Sequence, residues 1–154
     1  VLKEVIDRGN LPDRILPIYD HWTGLIRNGQ LPEIGDFSAR ALKQAMAHSV
    51  LTEVVHGEDD SVQDFVFRLI GSFIAERMPQ VYVGEHLSSL PGKGPGSQIW
   101  SAYEATATSG LPRLVTLPYV SSIGGHSRSD EVFLPLAKTG EARVGYILVG
   151  ISLD

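Results

Sequence analysis

Three consecutive carboxylates, Glu58-Asp59-Asp60, form the densest acidic group in the chain. A calcium loop spaces its oxygen ligands at alternate positions, and that alternation is missing, so the triplet reads as a solvated turn. Pro91-Gly92-Lys93-Gly94-Pro95-Gly96 is rich enough in glycine to suggest a phosphate cradle. It lacks the closing Gly-Lys-Ser/Thr that such a cradle needs, and reads as a flexible loop. Ser121-Ser122 and the histidines show no nucleophile-elbow pattern. Cysteine is absent, which removes disulfides, thiolate zinc sites, Fe–S clusters, cysteine nucleophiles and any cofactor held as a cysteine adduct. His86 follows Gly84-Glu85 and could line a pocket or titrate near neutral pH, but reads as a partly exposed residue at a helix start. His126, after Gly124-Gly125, reads as a hairpin tip, with Arg128 and Asp130 as ordinary loop charges. Arg68 is flanked by apolar residues and needs a partner; Glu53, or a carboxylate on the N-terminal helix, could serve, as a static pair rather than a switch.

These groups must be held by elements, and the periodicity changes along the chain. Leu2, Val5 and Ile6 form a short apolar stripe that Gly9-Asn10 ends. From Asp13 to Asn28 the residues Ile15, Leu16, Ile18, Tyr19, Trp22, Leu25 and Ile26 recur at helical spacing. Asp13 suits the N-cap, Pro17 the first turn and Gly29 the C-terminal cap. A connector, Gln30 to Asp36, leads to a second helix over Ser38–Ala47, with Ala41, Leu42, Ala45 and Met46 inward. Val50–His56 and Val62–Gly71 read as a hairpin of strands around the acidic turn. In the second strand, Phe65, Phe67 and Leu69 mark one face and Val66 and Ile70 the other. Short helical pieces near Phe73–Arg77 and Glu85–Leu90 precede a longer helix, Ser97–Thr108, closed by Gly110. Three more strands follow, Pro112–Ile123, Glu131–Lys138 and Arg143–Leu153, joined at Gly124-Gly125 and Thr139-Gly140. In the last strand, Ile147, Val149 and Ile151 alternate with Tyr146 and Leu148, so both faces of the sheet are apolar and both must be covered.

The sum is a small α+β fold: five antiparallel strands, a helical insert after the second, and an amphipathic helix in front. The 154 residues suffice for one buried core, divided as an N-terminal extension over 1–12, a helical segment over 13–47 and a core over 48–154. Thirteen Lys and Arg against eighteen Asp and Glu leave a net charge of -5, which argues against a nucleic-acid-binding surface. No stretch is long and apolar enough for a membrane span, and the lack of cysteine is compatible with the cytoplasm. The chain opens on Val1 rather than Met, and residues before it are expected; Val1 to Gly9 has the wrong composition for a signal peptide.

One set of segments carries a resemblance. Tyr19-Asp20-His21-Trp22, Gly29-Gln30-Leu31-Pro32 and Phe65-Val66-Phe67-Arg68-Leu69-Ile70-Gly71-Ser72 come first. Val83-Gly84-Glu85-His86-Leu87, Gly110-Leu111-Pro112 and Val132-Phe133-Leu134-Pro135-Leu136 follow in order. Across roughly residues 19 to 149 the chain resembles a bacterial PAS family, found mostly in alphaproteobacteria and often as short stand-alone proteins. The resemblance implies a PAS fold and a sensory or regulatory role without catalysis. PAS domains host haem, flavin, small organic acids or nothing. Haem is disfavoured because the helix Ser97–Thr108 offers no histidine, and cysteine-adduct flavin because no cysteine exists.

A ligand cavity is expected between the sheet and the central helices. Its candidate lining is Phe67, Leu69, Phe73, Leu87, Ile99, Trp100, Tyr103, Leu117, Tyr119, Phe133 and Leu148, with Tyr103, Tyr119 or the Trp100 indole as polar contact; the same residues could instead simply fill the core. Ile15, Ile18, Trp22, Leu25 and Ile26 are candidate interface residues, pairing with a second protomer or packing on the chain's own sheet. The function expected is a cytoplasmic sensory domain that binds a small ligand or signalling partners. The alternative is a small cone-shaped α+β enzyme of isomerase or hydrolase type. It would use a buried His/Asp or Tyr/Asp pair, and no Asp lies beside a His in the candidate set.

Overall fold

A computed structural model of the chain describes residues 2–118 and 128–153. Strands β1 (Ser49–His56), β2 (Val62–Ile70), β3 (Arg113–Pro118), β4 (Arg128–Ala137) and β5 (Val144–Leu153) form one antiparallel sheet in the order β2-β1-β5-β4-β3. The α+β class, the five strands and the helical insert after the second are as expected. Helices α1 (Leu16–Gly24) and α2 (Ala39–Leu42) precede the sheet, while α3 (Ser72–Ala75) and α4 (Gln98–Ser109) lie in the insert. Among the described residues, no helix is long and apolar enough to cross a membrane.

Helix α4 ends as its sequence dictates. The Ser97 hydroxyl accepts from the Trp100 amide at 3.2 Å, and Gly110 closes the helix at a left-handed φ of 68°. Helix α1 is shorter than the apolar stripe suggests. Ile15, not Asp13, takes the N-cap position, with no side-chain cap, and Pro17 lies in the first turn. Gly29 does not cap the helix: Asn28 and Gly29, at φ 56° and 70°, make a separate tight turn bridged by Arg27 and Gln30. The second helix is capped by Ser38, whose hydroxyl accepts from Ala41, but it lasts only one α-turn. Lys43 at φ 53° breaks it, a 3-10 turn covers Lys43–His48, and Ala41 points to solvent rather than inward.

The sheet carries a separate core on each face. On the inner face, Val54, Phe65, Phe67, Phe133, Ile147 and Val149 pack beneath Trp100, Tyr103, Leu87 and Ile74 of the insert. On the outer face, Leu51, Val132, Leu134, Leu136 and Leu148 pack beneath Ile15, Ile18, Tyr19 and Trp22. Leu2, Ile6 and Leu11 join that outer core, while Val5 is exposed.

A register shift in the β1–β2 ladder changes one part of the expected pattern. Thr52 pairs with Phe67 while Leu51 pairs with Leu69, which leaves Arg68 as the extra residue. A bulge of this kind reverses the alternation beyond it. Ile70 therefore packs with the inner core, and Leu69 stands 41% exposed outside both cores.

The candidate interface residues pack within the chain. Ile15, Ile18 and Trp22 are fully buried on the outer face, with Leu25 and Ile26 half-buried. Trp22 Nε1 also donates to the Pro135 carbonyl at 2.8 Å. Strand β3 pairs with β4 only as far as Phe133, so this edge of β4 is open at Pro135. Two residues on, the Ala137 amide faces the same edge and donates to the Pro32 carbonyl. Proline suits such an edge because it has no amide to satisfy, and the indole satisfies its carbonyl. A dimer through this stripe would first have to lift α1 off its own sheet.

Candidate functional site

A cavity of about 480 Å3 opens between the inner face of the sheet and the insert. Strand alternation brings Val50 of β1, Phe67 of β2, Leu117 of β3, Ser129 and Glu131 of β4, and Ile151 and Leu153 of β5 to its floor. Helix α4 contributes Gln98, Ile99 and Tyr103. The preceding loop contributes Gly92, Lys93, Gly96 and Ser97, and Ile74, Met78 and Tyr82 close the side after β2.

Of the expected lining, Phe67, Ile99, Tyr103 and Leu117 reach the cavity. Leu87, Trp100 and Phe133 are spent on packing the inner core: Trp100 meets Phe65 edge to face at 5.1 Å, and Phe133 meets Tyr103 edge to face at 5.0 Å. Phe73 turns toward His48, with ring centroids 4.3 Å apart, and the Arg77 guanidinium lies 3.5 Å above its ring. Leu69 is displaced by the bulge. Leu148 lies on the opposite face from the cavity: it pairs with Leu134 and is buried in the outer core with Trp22. Tyr119 lies outside the described residues, as do Ser121, Ser122 and His126.

The polar contacts also differ from expectation. Tyr103 reaches the cavity, but its hydroxyl is engaged with Thr52 at 3.1 Å, in a pair buried within the protein. Burial pushes its phenol pKa up. The Trp100 indole does not line the cavity. In their place stands Glu131, only 7% exposed and flanked in the sheet by Val115 and Ile151. The Ser129 hydroxyl donates to Glu131 Oε2 at 2.6 Å. Burial raises the Glu131 pKa, against the smaller opposing effects of the Ser129 hydrogen bond and the charge of Lys93. The signal that could have found it is local: Ser129, Glu131 and Phe133 share one face of an alternating strand, so placing Phe133 inward places Glu131 inward as well.

Several other charges pair with one another away from the cavity. Arg68 Nε donates to Glu53 Oε1 at 2.8 Å, and Lys138 Nζ reaches Glu53 Oε2 at 3.0 Å. Burial alone would raise the Glu53 pKa, but its two cationic partners together hold it below the usual value. Asp59 accepts from Ser61, and Asp60 pairs with Arg143, as a solvated turn requires. His86 is exposed at the start of the 3-10 turn Leu87–Ser89. Among the described residues, no cluster of three or more His, Asp or Glu could hold a metal ion. Comparison with family models, with curated proteins and with solved structures finds no match to this chain.

Proposed function

We propose that this chain is a PAS-like sensory or regulatory domain that binds a small, mostly apolar ligand, acts in the cytoplasm and passes the signal to a protein partner. The observation that carries the reading is the cavity, since its size lies within the range of small-molecule sites and its wall is apolar with a few convergent polar groups. The strand order, with its helical insert after the second strand, is the arrangement a PAS domain has and supports the family resemblance. Strand β4 offers a route for the signal. Glu131 faces the cavity, and the next residue, Val132, packs under α1 on the opposite face. A ligand that moves β4 would alter how α1 sits, and with it the surface offered to a partner or to a second protomer.

The enzyme alternative has less support. Among the described residues no histidine lines the cavity, and the buried carboxyl stands against a serine hydroxyl rather than a base. Native against denaturing mass spectrometry, with a UV-visible spectrum of the same sample, tests the ligand reading. An extra mass that leaves on denaturation is the expected result. A bare polypeptide mass, with no thermal shift from a library of small apolar compounds, would overturn it.

A further inference from the structure

Glu131 is an expensive residue to keep where it is. A carboxylate removed from water loses its hydration, and a buried one is normally held by a cation or by several donors. Glu131 has neither. Among the described residues the Ser129 hydroxyl is its one hydrogen-bond donor, to Oε2, which leaves Oε1 without a donor. Lys93, on the glycine-rich loop, lines the same cavity but forms no ion pair with it. Among the described residues the other titratable groups on the cavity wall are the phenols of Tyr82 and Tyr103, and the second is engaged with Thr52. An apolar side chain would continue the strip between Val115 and Ile151 at no such cost.

We propose that the cavity selects a ligand with an apolar body and one basic nitrogen, an amine or amidine class of compound, whose cation docks against the Glu131 carboxylate. The proposal rests on the ligand-binding reading above and narrows it to one chemistry. The ligand's N–H donates to Oε1 and brings a counter-charge into direct contact with the carboxylate, as a charge-assisted hydrogen bond. Phe67, Ile99, Leu117 and Ile151 take the apolar body. Lys93 opposes a cation and favours an anion, so the balance between Glu131 and Lys93 sets the sign of the preferred charge.

Three probes of similar size and different charge test this: phenethylamine, phenethyl alcohol and hydrocinnamate. Their binding is measured by titration calorimetry on the unaltered full chain, then on Glu131→Gln and Lys93→Ala. The amine is expected to bind the unaltered chain most tightly. Its advantage over the alcohol should fall by roughly tenfold or more in Glu131→Gln and be kept or increased in Lys93→Ala. The alcohol should bind all three proteins alike. Glutamine keeps an acceptor for the Ser129 hydroxyl, and the ranking on the unaltered chain needs no variant to fold. Equal binding of amine and alcohol, or preference for hydrocinnamate, would overturn the choice of a cation while leaving the ligand reading in place. No binding by any of the three at millimolar concentration would overturn both.

Discussion

Replacing Trp22 with phenylalanine tests whether α1 is held on its own sheet. Trp22 is fully buried, and its indole donates to the Pro135 carbonyl at 2.8 Å at the open edge of β4. Phenylalanine keeps an aromatic ring under the helix but removes the donor. A buried carbonyl left without its partner costs about 1–3 kcal/mol. The smaller ring leaves a gap comparable to the loss of one or two methylenes, about 1–2 kcal/mol more. The sum, about 2–5 kcal/mol, is a large fraction of the roughly 5–15 kcal/mol that holds a domain together. For a chain of this size it corresponds to a fall in Tm of about 4–20 °C. Urea and thermal unfolding followed by circular dichroism measure it, at two protein concentrations a hundredfold apart. A loss within this range at both concentrations is expected from intramolecular packing. A change below about 0.5 kcal/mol would refute the reasoning, because the indole would then contribute neither packing nor a hydrogen bond. A loss that depends on protein concentration would show instead that a second protomer supplies part of the contact.

Two further perturbations follow from close approach and from titration. At Gly71 a Cβ would lie 2.1 Å from the Met46 carbonyl oxygen and 2.4 Å from that of Ala47. Gly71→Ala should therefore cost at least about 2–3 kcal/mol, while Gly24→Ala, with nothing within 4 Å, should be neutral or stabilise by up to about 1 kcal/mol; urea denaturation of both variants checks the contrast. His21, His48 and His56 all have pKa values lowered chiefly by burial, with Arg14 and Arg77 adding to the effect at His48. The folded chain holds these rings neutral to lower pH than the unfolded chain, which protonates them near 6.5, so stability should fall as pH drops below about 6.5. His48→Gln should flatten that fall, read as Tm against pH. Glu131 has the opposite sign: its raised pKa penalises the folded state above the unfolded value of 4.5. Glu131→Gln should therefore raise the Tm at neutral pH, by a margin that vanishes below about 4.5.

Local spacing was enough to find the elements. The Ser97 cap, the Gly110 terminator and the alternation in β5 each depend on residues within a few positions of one another, where helix and strand geometry act directly. The same alternation carried the requirement that both sheet faces be covered, and the two cores meet it. Element ends were less legible. The stripe from Ile15 to Ile26 outlasts helix α1 because apolar residues beyond Gly24 still pack in the outer core without being helical. Local alternation places Glu131 on the face of Phe133, but most of the site depended on contacts between strands. Leu69 left the inner face because one extra residue, Arg68, was accommodated against β1, a matter of register between two strands. Leu148 went to the outer face because the strip it joins, Leu51, Val132 and Leu134, was assembled from three strands. Aromatic residues equally apolar in sequence divided between filling the core, as Trp100 and Phe133 do, and bordering a cavity, as Phe67 and Tyr103 do. That division follows from the volume left between sheet and insert. Glu131 acquired its burial, and its raised pKa, only when β3, β5 and the insert closed around it. Hydration is lost through neighbours brought from distant parts of the chain, so the group with the most chemical potential in the cavity was set by tertiary structure.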